Sequence, residues 1–197
     1  MTQLELRPLE SEYKLLTEGD KGLERVWNTF SALCRIPRPS GREGKAIHFM
    51  KFFAEQRSLT PEVDESGNVL FILPATSGME NAPGIVFQGH VDMVTLDNPE
   101  LERRGVVPFV RSDSEGQTWV TADNTTLGAD NGIGNSLMLA LVDEKTPHGP
   151  LAFLFTNREE IGLVSAREMT LENKLSGFRY FINVDSEEEG EATISSA

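Results

Sequence analysis

The sequence predicts an α/β protein, a sheet of short apolar strands with helices on its faces. Three observations carry this. Apolar runs at residues 69–73, 84–89, 151–155 and 180–184 have strand length, too short for a helix. Stretches with apolar residues at helical spacing alternate with them. Glycine and proline punctuate the boundaries, as at Gly67, Pro74 and Gly84.

In chain order, residues 1–20 read as a polar, charged leader, and residues 21–197 read as part of one domain. Leu23, Val26, Trp27, Phe30 and Leu33 fall on one face of a first helix. That helix must stop before Pro37-Arg38-Pro39, because proline lacks the amide proton and restricts its predecessor. Ser40-Gly41-Arg42-Glu43 has the form of a capping box. It predicts a second helix carrying Ile47, Met50, Phe53 and Ala54. Weaker strand signals lie at 106–110 and 119–122, and the polar stretch 97–104 reads as a loop. A helix over 131–144 is expected to bury Ile133, Leu137, Ala140 and Leu141, and a short helix is expected within 163–169. The runs 151–155 and 180–184 read as buried strands. There is no internal repeat, low-complexity tract or clear linker.

Of 197 residues, 39% are hydrophobic and 25% charged, ordinary values for a globular chain. Thirty-one acidic against 18 basic residues give a formal charge of −13. That balance argues against nucleic acid, which needs clustered Lys and Arg, and against an acidic membrane surface. A cation suits it, and so does plain solubility. No apolar run reaches the length of a membrane span, and the start lacks a secretory pattern. The single cysteine, Cys34, cannot form an internal disulfide, which fits a reducing, cytoplasmic setting.

Four clusters hold the chemistry, each after an apolar strand or at a helix start, where open α/β sheets place ligands. In Gln88-Gly89-His90-Val91-Asp92-Met93, His90 and Asp92 are two apart and face one way on an extended segment. A carboxylate there can fix the tautomer of a metal-binding imidazole. Alone, such a pair is more often structural. Asp130, in Thr126-Leu127-Gly128-Ala129-Asp130-Asn131-Gly132-Ile133-Gly134, can cap a helix, and the glycines also let backbone approach a bound group. Glu159-Glu160 follows the strand ending at Phe155. Adjacent carboxylates point differently, so one can bind a metal while the other handles a proton. Alone, the pair reads as a solvated turn. Asp185 follows the fourth strand, and Glu187–Glu189 beyond it reads as a solvated turn.

In this order the clusters resemble the co-catalytic zinc peptidase superfamily of carboxypeptidase-like and aminoacylase-like enzymes. Together with Ile36-Pro37-Arg38-Pro39-Ser40, His148-Gly149-Pro150-Leu151 and the run from Asn183 to Glu191, they are similar to the aminoacyl-histidine (cytosol non-specific) dipeptidases. The resemblance runs from about Leu23 to the end. It implies a three-layer helix–sheet–helix catalytic domain, with the lid or dimerisation domain and final segment lying outside the part matched.

It also implies two zinc ions, with Co2+ or Mn2+ as substitutes, and hydrolysis of dipeptides by a homodimer. Asp130 would bridge the ions, His90 and Asp185 would complete one, and Glu160 would bind the other. Glu159 would be the general base, and Asp92 would orient His90. Family members supply a last histidine ligand near their carboxyl end. Here His48 is expected to be an ordinary, partly buried helix residue, and His148 has no ligand role. Arg158 stands where an acidic residue is expected, and could pair with Glu159 or Glu160 and lower their pKa values. Two alternatives stand beside the dipeptidase: a non-catalytic unit binding one metal ion, and an aminoacylase-type amidohydrolase.

Overall fold

The computed structural model describes residues 20–95, 103–122, 124–186 and 193–194. Most of the leader, most of the 97–104 loop and Glu187–Glu189 lie outside them.

Helix α1 spans Lys21–Cys34, and the Asp20 side chain caps it by accepting from the Gly22 and Leu23 amides at 2.8 and 3.1 Å. Val26, Phe30 and Leu33 are buried, whereas Leu23, in the first turn, is exposed. Helix α2 spans Gly44–Glu55 and buries Met50, Phe53 and Ala54 as expected. Its expected capping box does not form. Ser40 lies outside the helix, and its hydroxyl donates to Asp92 Oδ2 at 2.8 Å. Glu43 takes the capping position and accepts from the Gly41 amide at 2.6 Å. A buried carboxylate elsewhere in the fold has outcompeted the local cap. His48, expected to be partly buried, is exposed on α2.

Strands β1 (Glu62–Val63), β2 (Val69–Leu73), β3 (Gly84–His90), β6 (Leu151–Thr156) and β7 (Phe178–Asn183) form one sheet in the order β1-β2-β6-β3-β7. β3 runs parallel to β6 and β7, and β2 runs antiparallel to β6. β1 has only two residues and no apolar run to announce it. β4 (Phe109–Ser112) and β5 (Thr118–Thr121) form a separate antiparallel ribbon, displaced by a few residues from the weak strand signals.

Side chains alternate across the sheet with period two. Val69, Phe71, Phe153 and Phe155 face the helices and join Leu33, Phe49, Met50, Met138 and Leu139 in the main core. Leu70, Val86, Ala152 and Leu154 face the other way, beneath Leu171. That second face is covered by the segment holding α4 (Val164–Arg167) and a 3-10 turn at Glu172–Leu175. The layered helix–sheet arrangement is thus present.

Helix α3 (after β5) spans Ala129–Val142, and two expectations for it need correction. Leu137 and Leu141 are exposed, whereas Ala140 is buried as expected, beside a buried stripe of Gly134, Asn135, Met138, Leu139 and Val142. The stripe opens with a glycine and an asparagine, so apolarity alone points to the wrong face. The glycine answers a close approach, since a Cβ on Gly134 would sit 2.7 Å from the Val184 carbonyl oxygen, and the asparagine serves a hydrogen bond to the His90 carbonyl. Strand β7 was expected to be buried, yet Tyr180, Phe181 and Ile182 are exposed. Among the described residues it is an edge strand, paired with β3.

Cys34 is buried at the end of α1, and burial pushes its thiol up to about 12 against the pull of Arg38 and Arg35. It is an inert packing group.

Candidate metal centre

The parallel register brings the strand ends to one rim. His90, the last residue of β3, pairs with Thr156, the last of β6, and the Val184 amide donates to Gln88 O at 2.9 Å. Three of the four clusters thereby emerge side by side, and α3 starts beside them.

His90 is 1% exposed and Asp92 fully buried. His90 Nδ1 lies 3.3 Å from Asp92 Oδ1, an ion-pair contact without good hydrogen-bond alignment. Asn135 Nδ2 donates to the His90 carbonyl oxygen at 2.6 Å. The other ring nitrogen faces the site. His90 Nε2 is 2.8 Å from Asp130 Oδ1, 3.5 Å from Asp185 Oδ2 and 4.0 Å from Glu159 Oε2. Two overlapping donor groups result, His90 with Asp130 and Asp185, and His90 with Glu159 and Glu160.

Asp92 does more than face the imidazole. Its Oδ1 accepts from the Glu159 amide at 3.0 Å and its Oδ2 from the Glu160 amide at 3.2 Å, besides the Ser40 hydroxyl. One carboxylate thus ties the His90 strand end to the glutamate turn. The turn is also anchored by Asn157, whose amide donates to Ser165 Oγ at 2.8 Å and whose Nδ2 donates to Ser66 O at 2.9 Å.

Arg158, expected to pair with Glu159 or Glu160, turns away instead. At φ +53° it directs its guanidinium to Glu168 Oε2 and Ser66 O, both at 3.3 Å. The two glutamates accordingly show no lowering. Burial raises the Glu159 carboxyl, helped by Asp185, Asp92 and Asp130 against the pull of His90. Burial also raises Glu160, with Asp130 adding to it. For Asp92, burial works upward, but its contacts with His90, the Glu159 amide and Ser40 outweigh it and hold it below the usual range. For His90, burial opposes protonation, yet Asp92, Asp130 and Asp185 push its pKa up to about 9.

The donor set suits divalent cations. One buried imidazole faces four carboxylates gathered from three further segments. A proton on His90 partly serves in place of a cation. The sign of the pH response follows. Protonated His90 stabilises the metal-free fold fully below about pH 6.5, its unfolded value, and that contribution is lost as pH rises through about 9. The raised Glu159 and Glu160 act in the same sense, losing stability as they ionise. Thermal melts in chelator are expected to show Tm falling by about 5–10 °C from pH 6.5 to 9.5, with added Zn2+ abolishing the slope. A flat profile in chelator would count against the coupling.

Two contributors escaped the sequence reading. Ser40 looks like a helix cap in the sequence, and Asn135 carries no sequence signal of its own. Arg38 stood in a quoted motif without a role. His148 precedes β6, at the opposite end of the strand from the site, and its Nδ1 contacts Gly149 O.

A mixed sheet flanked by helices, with an imidazole and carboxylates gathered where its parallel strands end, is the architecture of a metal-dependent α/β hydrolase. The chain belongs to peptidase family M28, whose family model matches residues 68–196. It is 39% identical over 173 residues to the cytosol non-specific dipeptidase of Escherichia coli K12, covering 87% of this chain and 35% of that protein. The crystal structure of aminoacylhistidine dipeptidase from Vibrio alginolyticus matches with a TM-score of 0.75 at 35% identity, covering 89% of this chain and 36% of that one. Aminopeptidase PepT from Bacillus cereus ATCC 10987 matches with a TM-score of 0.66 at 26% identity, covering 84% of this chain and 44% of that one. The chain spans about a third of the length of the two dipeptidases. Among the described residues, no helix is long and apolar enough to cross a membrane.

Proposed function

We propose that this chain carries most of the metal centre of a cytoplasmic zinc dipeptidase, which cleaves Xaa-His or other dipeptides into amino acids. The observation that carries the reading is the convergence on His90 Nε2 of carboxylates from three further segments, Asp130, Asp185 and Glu159.

In this reading His90 and Asp185 would hold one ion and Glu160 a second, and Asp130 would serve both. Bound there, divalent ions supply Lewis acidity toward the peptide carbonyl and make water easier to deprotonate. Glu159 accepts the proton of the attacking water and returns it to the leaving amine. Its raised pKa brings it nearer the working pH, where an acid–base group is most effective. Asp92 keeps the His90 ring turned so that Nε2 faces the site, and it holds the Glu159 backbone in place.

A second reading is a non-catalytic unit that holds one ion. It draws on the donor count: His90 is the only imidazole at the rim, since His48 is exposed on α2 and His148 is at the far end of β6. From the residues of this chain alone, the second ion would have carboxylates and water. Elemental analysis after Zn2+ loading and dialysis, with a panel of dipeptides and N-acyl amino acids, decides between them. Two ions with dipeptide turnover support the dipeptidase. One ion without turnover supports the second reading, preference for N-acyl amino acids supports an aminoacylase-type enzyme, and no retained metal sinks all three.

A further inference from the structure

Arg38 is 1% exposed and belongs to no element of the sheet. Its guanidinium reaches two segments that carry site residues. Nη1 donates to the Val91 and Asp92 carbonyl oxygens at 2.9 and 3.3 Å, just past His90. Nη2 donates to the Gly128 carbonyl oxygen at 2.5 Å, two residues before Asp130. Its own carbonyl oxygen accepts the Met93 amide at 3.1 Å, so it grips the strand end twice.

The surroundings are shaped around this side chain. A Cβ on Gly128 would come 2.6 Å from Nη2, and one on Gly132 would come 2.8 Å from it. Glycines on both sides of Asp130 therefore leave room for the guanidinium. Gly128 also has φ +72°, which a side chain would strain.

A buried cation costs much desolvation, and here Nε has no hydrogen-bond partner among the described residues. An apolar side chain would fill the space without that penalty. What it could not do is bridge two backbone segments through planar, divergent donors. The negative charges of Asp92, Asp130 and Glu160 nearby help to keep the guanidinium charged.

We propose that Arg38 is a positioning residue that sets the distance between the His90 imidazole and the Asp130 carboxylate by clamping the backbone beside each of them. This rests on the metal-centre reading above. The Arg38 guanidinium donates to backbone carbonyls, and it acts through the segments they belong to.

The test compares the 197-residue chain with Arg38→Met and Arg38→Lys, with far-UV circular dichroism as the check on folding. Co2+ titrations report affinity and the visible d–d spectrum. Arg38→Met is expected to fold, to bind Co2+ about 10–100-fold more weakly and to show an altered spectrum. Arg38→Lys, which keeps the charge but lacks the fork, is expected to restore only part of the affinity. Should Arg38→Met fail to fold, the altered Co2+ affinity and spectrum of folded Arg38→Lys carry the claim. Parental affinity and spectrum in a folded variant overturn it, and so does failure of both variants to fold, which would make Arg38 a folding residue.

A metal-free readout separates this claim from the reading it rests on. The chain has three histidines. In chelator, the ring 15N signals of His90 are expected to shift in the variant while those of His48 and His148 stay in place. If the parent binds no Co2+, the metal reading fails, and the His90 signals still decide for or against Arg38.

Discussion

Replacing Glu159 by glutamine is expected to lower kcat for dipeptide hydrolysis by about 10²–10⁴-fold in the zinc-loaded protein while leaving its metal content unchanged. Glutamine keeps the size of the side chain and the backbone amide that Asp92 accepts, but cannot take a proton. The Glu159 carboxylate stands 4.0 Å from His90 Nε2 and is partly open to solvent, so it can meet a water at the site. Steady-state kinetics with elemental analysis of the same sample checks both halves. A kcat within about threefold of the parent would remove Glu159 from the proton-transfer role. A parallel loss of zinc would make it a ligand instead. Glu160→Gln is the informative companion, since the proposed roles differ for neighbours in sequence.

The second large effect concerns Asp92. Asp92→Ala is expected to destabilise the protein by about 3–5 kcal/mol, measured as the shift in urea unfolding free energy. The substitution removes the carboxylate facing His90 Nδ1 inside the fold and leaves the Glu159 and Glu160 amides and the Ser40 hydroxyl without their acceptor. Asp92→Asn keeps the volume and two acceptor lone pairs but loses the charge, and it should fall between the two. A cost below about 1 kcal/mol for Asp92→Ala would mean that the turn and the imidazole are held by other contacts, such as Asn157 and Asn135.

Much of the site was legible in the linear chain because its chemistry coincides with simple periodicities. His90 and Asp92 are two apart at the end of an apolar run, so strand geometry predicts a shared direction. Asp130 sits among glycines, and Glu159-Glu160 follows an apolar strand by a few residues. In each case a local pattern carries the placement, and the resemblance to the zinc peptidases supplied the order of the clusters. The resemblance also supplied the roles, which spacing alone left open.

Other features were hidden because their cause is not local. Ser40 and Glu43 look like a helix cap, and a capping box would satisfy two amides. In the fold, the Asp92 carboxylate 52 residues away claims the Ser40 hydroxyl instead. The buried face of α3 begins with Gly134 and Asn135, chosen for close approach to β7 and for the His90 carbonyl rather than for apolarity. Arg158 could reach either glutamate by sequence distance, but a positive φ turns it toward Glu168. β7 is as apolar as a buried strand, and its exposure depends on which neighbours the sheet places beside it.

By itself the sequence determined the α/β class, the positions of the helices and of every strand but β1 to within a few residues, and the residue types able to hold a divalent cation. Those follow from side-chain spacing and from proline and glycine geometry, which act within a few residues of each other. Only the tertiary structure decided that His90 Nε2 lies 2.8 Å from Asp130, that Asp92 holds the glutamate turn, and that Arg38 sits beneath both. These contacts join segments some 40–90 residues apart. Chain packing sets such distances: a side chain's partner there depends on which strands pair and which helix lies across them.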